Sequence, residues 1–131
     1  MKKKSKKESV QSIIKEVNKM LEEIRQNAVF VEGKKDKEAL IRIGSQKVFT
    51  ISGNLRLSCE KVKTEKKVII LTDLDRRGLE LLKRAVGMLE EYCVKSDQEI
   101  RSRIAHILRL KYFENLDKKY EKFMEENSWG E

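Results

Sequence analysis

Val68-Ile69-Ile70-Leu71-Thr72-Asp73-Leu74-Asp75-Arg76-Arg77-Gly78 is an unbroken apolar run, rich in β-branched residues, that ends in acid and then glycine. Apolar continuity of this kind marks a strand buried on both faces, the condition of a parallel sheet. Residues two apart on a strand share a face, so Asp73 and Asp75 at its end are expected to turn both carboxylates toward one point. Upstream, Ala28-Val29-Phe30-Val31-Glu32-Gly33 repeats the plan. If the two strands are parallel neighbours, Glu32 joins the aspartates at the carboxyl edge of the sheet, where open α/β folds bind ligands. Three hard oxygen ligands there point to magnesium or manganese, and magnesium points to phosphate.

Working outward, Lys67 to Thr72 is the central strand, Ala28 to Glu32 a second, and Val48-Phe49-Thr50-Ile51 a third. Tyr92-Cys93-Val94 is expected as a fourth, with Cys93 in the core. Val10, Ile13, Ile14, Val17, Leu21 and Ile24 recur at helical spacing, as do Leu79, Leu82, Ala85, Val86 and Leu89 after Arg76. A helix over Lys37 to Ile43 is expected to start on Asp36 as N-cap and to stop at Gly44. Ser96 with Glu99 reads as a capping box for a helix through Ile100, Ile104, Ile107 and Leu108. Phe113, Leu116, Tyr120 and Phe123 form a last apolar stripe, and residues 55–66 are ambiguous, with one helical turn as the reading. Strand and helix alternate, which predicts an α/β fold: a Rossmann-like, mainly parallel sheet of about four strands flanked by helices. Three segments are expected: a basic arm and amphipathic helix over 1–27, the α/β domain over 28–110 and a C-terminal helix over 111–131.

The 131 residues allow one core, with 40% charged and 39% apolar residues and no proline. No apolar run reaches the roughly 18 residues of a membrane span, and the N-terminal lysines lead into no apolar core, so a cytoplasmic protein is expected. Cys59 and Cys93 lack zinc-ligand spacing and read as reduced thiols. The formal net charge of +8 suits a polyanionic partner. Residues 97–131 carry seven basic and eight acidic side chains, so the excess lies earlier, in an arm of lysines 2, 3, 4, 6 and 7 and around the acids. Lys34 and Lys35 follow Glu32, and Arg76 and Arg77 follow Asp75. These four are the candidate phosphate contacts, unless an arginine simply pairs with the aspartates. His106 falls mid-helix and reads as structural.

Val31-Glu32-Gly33, Thr50 with Gly53, and Asp73-Leu74-Asp75-Arg76-Arg77-Gly78 together resemble the Toprim domain shared by topoisomerases, bacterial-type primases and the ribonucleases that mature 5S ribosomal RNA. The likeness covers about residues 28–110 and is strongest to the small stand-alone archaeal and bacterial members, in which Thr-Asp-x-Asp-Arg-x-Gly recurs. It implies a Toprim fold with extra N- and C-terminal helices, Glu32 as general acid/base, and Asp73 and Asp75, with Glu32, as magnesium ligands. It also implies turn glycines at Gly33, Gly53 and Gly78. The position that is a third acid in some relatives is Arg77 here, which argues against a second tightly held metal. Tyr92, Tyr112 and Tyr120 fall in expected core strand or helix and read as packing, not as a topoisomerase nucleophile. The parts a primase adds do not fit in this length.

Three functions remain open on the sequence. The first is a magnesium-dependent nuclease on RNA or DNA. The second is a nucleic-acid-binding module without turnover, alone, as a homodimer or within an RNA-processing or repair complex. The third is phosphotransfer on Asp73, as in haloacid-dehalogenase-like phosphatases, although their Asp-x-Asp sits on an early strand.

Overall fold

A computed structural model describes residues 6–128, with side chains from Ser9 onward. Lysines 2, 3 and 4 of the expected basic arm lie outside the described residues, and Lys6 and Lys7 already belong to the first helix. The elements are α1 (Lys6–Gln26), β1 (Ala28–Val31), α2 (Lys34–Arg42), β2 (Lys47–Thr50), α3 (Leu55–Lys61), β3 (Lys67–Ile70), α4 (Arg76–Glu91), β4 (Lys95–Asp97), α5 (Glu99–Leu108), a 3₁₀ turn (Phe113–Asn115) and α6 (Leu116–Glu126). The four strands form one parallel sheet in the order β2-β1-β3-β4.

Period two divides the strand side chains between two cores. Val29, Val31, Val48, Ile69 and Leu71 pack on one face with Val17, Leu21 and Ile24 of α1, Leu40 of α2, Ile104 and Leu108 of α5, and Phe113 and Leu116. Ala28, Phe30, Val68 and Ile70 pack on the other with Cys59 of α3 and Leu81, Leu82, Ala85 and Leu89 of α4. The central strands β1 and β3 are therefore covered on both sides, which is why their sequences are continuously apolar.

Four boundaries differ from the sequence expectation. Helix α2 begins at Lys34 rather than Lys37, so Asp36 is its third residue and Gly33 its N-cap; the Asp36 carboxylate reaches back to accept the Gly33 N–H at 2.9 Å. Residues 55–61 form a full helix, capped by Asn54, whose side chain accepts from Leu57 N. Tyr92-Cys93-Val94 is not a strand. It is the stop of α4: Cys93 is exposed and left-handed at φ 58°, its N–H bonds to Glu90 O, and Val94 N–H bonds to Leu89 O, the double bond that closes a helix end. The fourth strand is Lys95–Asp97. Being an edge strand, it needs no apolar run, and Ser96 lies within it rather than capping α5; Asp97 accepts the Ile100 N–H instead.

Candidate active site

β1 and β3 are hydrogen-bonded neighbours running the same way, so Glu32 and the segment 71–75 leave the sheet side by side at its carboxyl edge. Glu32 Oε2 accepts the Asp73 N–H at 2.8 Å. Asp73 and Asp75 are not on the strand, which ends at Ile70, so strand alternation does not aim them. A hydrogen-bonded turn does. Thr72, fully buried, donates its hydroxyl to Gly78 O at 2.7 Å, and Asp75 is the N-cap of α4, its Oδ1 accepting Gly78 N–H at 2.7 Å. Gly78 lies so close to the turn that a Cβ there would stand 1.8 Å from the Asp73 carbonyl oxygen. By contrast a Cβ at Gly33 would meet nothing nearer than 4.0 Å, and at Gly53 nothing within that distance, so a steric need for glycine exists at Gly78 alone of the three turn glycines.

The floor of the site comes from further along the chain. Arg101 of α5, 5% exposed, donates from Nε to Thr72 O at 2.7 Å and from an Nη to Asp73 O at 2.6 Å. Its guanidinium faces Glu32, Asp73 and Asp75; burial lowers its pKa, and those three charges oppose the shift. The segment after α5 closes the other side. Lys111 O accepts the Leu74 N–H at 2.8 Å, and Phe113 N–H donates to Asp73 Oδ1 at 2.9 Å. Burial pushes the Asp73 carboxyl up to about 6; the Phe113 N–H opposes that shift, and the charges of Asp36, Glu32 and Asp75 add to it. Asp36 is raised as well, chiefly by burial, with Glu114 adding repulsion against the N–H groups of Gly33 and Glu114. Asp36, Arg101 and the 111–114 segment are the parts the sequence reading missed. Arg101 was legible in principle, since it shares a stripe of spacing three and four with Ile104, Ala105 and Leu108, all buried.

Each of Glu32, Asp73 and Asp75 thus has one oxygen anchored by a backbone N–H and a second left free of protein donors among the described residues. All-oxygen, anionic donors are what a hard divalent cation takes. As they stand, no three acidic, histidine or cysteine side chains among the described residues converge closely enough to enclose an ion. Lys34 and Lys35 open α2 and Arg76 and Arg77 open α4, all four exposed at the same edge. Neither arginine pairs with the aspartates: Arg76 lies 3.8 Å from Glu80, and no ion pair involves Arg77 among the described residues. His106 is exposed and lines a groove of about 870 Å³ along β4 and α5 that does not include Glu32, Asp73 or Asp75. Tyr92 caps α4 and Tyr120 donates to Asn18, but Tyr112 is exposed and lies outside helix and strand, against expectation.

A parallel sheet of order β2-β1-β3-β4 with acids at the adjacent ends of β1 and β3 defines a Rossmann-like α/β protein with an acidic carboxyl edge. The model of the Toprim domain matches residues 27–119, and the chain belongs to that family. It is 30% identical over 101 residues to a UPF0292 protein of Methanocaldococcus jannaschii, 74% of this chain and 79% of that one. It is 33% identical over 94 residues to one of Thermococcus gammatolerans, covering 69% and 71%. With one of Archaeoglobus fulgidus it shares 38% over 76 residues, 58% of this chain and 60% of that relative. A solved structure of an Aquifex aeolicus protein superposes with a TM-score of 0.65 over 75% of this chain and 95% of that chain, at 23% identity, which speaks for the fold. The Toprim assignment points to metal-dependent work connected with nucleic acid. No helix among the described residues is long and apolar enough to cross a membrane.

Proposed function

We propose that the protein is a metal-dependent phosphodiesterase, a small nuclease acting on RNA or DNA strands in the cytoplasm. The observation that supports the reading is the Glu32 carboxylate accepting the Asp73 backbone N–H at 2.8 Å, beside the carboxyl ends of two parallel strands. The side chains able to hold magnesium or manganese are Asp73 and Asp75, with Glu32, and the chemistry such an ion supplies when bound is neutralisation of phosphate charge. Glu32 keeps one oxygen free to take or give a proton, and its other oxygen, tied to the Asp73 backbone, fixes where that happens. Lys34, Lys35, Arg76 and Arg77 hold the strand by its phosphates and read no sequence. Arg101 stays below, countering repulsion among the acids without reaching solvent.

One observation favours a second reading, a binding module without turnover: three carboxylates do not converge on one point among the described residues. Cleavage of a labelled oligonucleotide with and without magnesium separates the two. The nuclease reading expects magnesium-dependent cleavage that Glu32→Gln abolishes while binding persists. Wild-type binding without cleavage under any divalent metal gives the protein to the second reading.

A further inference from the structure

We infer that Tyr112 is a stacking platform for an unpaired nucleobase, so that the site takes single-stranded rather than duplex nucleic acid. The inference rests on the nucleic-acid reading of the acidic edge and adds to it the form of the strand. Among the described residues Tyr112 is the one exposed aromatic side chain, with 39% of its surface open. A solitary surface tyrosine needs no explanation in general. This one sits at the site's wall.

Its two neighbours in sequence are the groups that bond to the aspartate turn. Lys111 O accepts from Leu74 N–H on one side and Phe113 N–H donates to Asp73 Oδ1 on the other. Tyr112 O in turn accepts the Asn115 N–H at 3.0 Å. Phe113, fully buried, points into the core, so Tyr112 in extended backbone before it points out. The ring is therefore held on rigid backbone, one residue from an atom bonded to Asp73. The ammonium of Lys111 lies over one face of it, 5.4 Å from the centroid, so a base would stack on the opposite face and find a cation at the ring for its phosphate. An aromatic face with a lysine beside it, next to a phosphate site, is the arrangement that grips single strands without regard to sequence. In a duplex the base faces are already stacked on each other, and the ring has nothing to cover.

The test uses the full chain without divalent metal, so that cleavage does not intrude, and a mixed-sequence oligonucleotide in single-stranded and duplex form, both ribo- and deoxyribo-. Tyr112→Ala should weaken single-strand binding about tenfold, within the range of one base–aromatic stack, and leave duplex binding unchanged. Tyr112→Trp should restore it, and a 2-aminopurine in the strand should be quenched by wild type and Trp but not by Ala. Unchanged single-strand affinity in Tyr112→Ala, an equal loss on duplex, or no rescue by Trp overturns the platform. If Tyr112 behaves as expected while Glu32→Gln still cleaves, the assignment of Glu32 falls and the platform stands. If wild type binds neither form, both fall.

Discussion

The chain makes the same move twice, strand to acid to glycine to helix, and the two versions differ in how tightly they are built. After β1, Glu32 extends to the backbone of Asp73 in the turn that follows β3, and the glycine behind it is in extended conformation at φ −144° with nothing nearer than 4.0 Å where a Cβ would go. After β3, Thr72, Asp75 and Gly78 are bonded to one another and no space is left at Gly78. The first turn ties Glu32 to the Asp73 N–H and Gly33 to Asp36, yet leaves room at its glycine. The second holds Asp75 on the Gly78 N–H and Asp73 on the Phe113 N–H, with no room at its glycine.

The sharpest way to break the contrast is to add one methyl to each glycine. Gly78→Ala forces the turn or the first turn of α4 aside and should cost about 3 kcal/mol, whereas Gly33→Ala should stay within about 0.5 kcal/mol; urea unfolding measures both. Equal losses would mean that the two turns are equally rigid. Thr72→Val keeps the shape of a buried side chain and deletes its bond to Gly78 O, for a loss of about 1 kcal/mol by the same assay, with no counterpart in the β1 turn.

Charge gives a smaller lever. The Asp73 carboxyl titrates at about 6 in the fold against 3.8 in a free chain, so between those values the native state holds a proton that the unfolded chain has released. Metal-free stability should therefore fall as pH rises through that window and stay lower above it, with Asp36 acting in the same direction. Asp73 is only half-buried, and with solvent screening the fall is about 1 kcal/mol. Asp73→Asn should flatten the thermal melting profile across pH 4 to 6.5, and millimolar magnesium should raise the melting temperature of wild type more at pH 7.5 than at pH 5. A profile that Asp73→Asn leaves unchanged would place the titration elsewhere. Least visible in stability is the joint change of Lys34, Lys35, Arg76 and Arg77 to alanine, since none of the four is buried. Its effect belongs to binding: the slope of log affinity against log salt should drop by about 0.7 to 0.9 for each phosphate that is no longer neutralised.

The apolar runs of β1 and β3 and the periodicity of α1 and α4 were legible because burial on both faces, or along one stripe, leaves a pattern in the residues themselves. The pairing of Glu32 with the aspartate turn followed from placing those strands side by side. What misleads is local ambiguity. Asp36 before an apolar stretch reads as a cap, yet as the third helical residue it serves Gly33 equally well, and only the observed start of α2 distinguishes the two. Val94 reads as strand because a residue that seals a helix end is as apolar as one in a sheet. Arg101 and the 111–114 segment meet the site across 28 and 40 residues of chain, and nothing in a local window carries information at that range. Tyr112 falls between two apolar stripes and reads as part of the nearer one.

The bond from Phe113 N–H to Asp73 sets an order of events during synthesis. A ribosome that has reached Asp75 has already produced Glu32 and Asp73, and has yet to make the helix that brings Arg101 beneath them and the turn that bonds to Asp73. A domain folds as a unit, so the acids gain the cation below only after Arg101 has left the exit tunnel and the donor beside them only after Phe113 has followed. The acidic edge comes together only with residues 101–113, well after its carboxylates have been made.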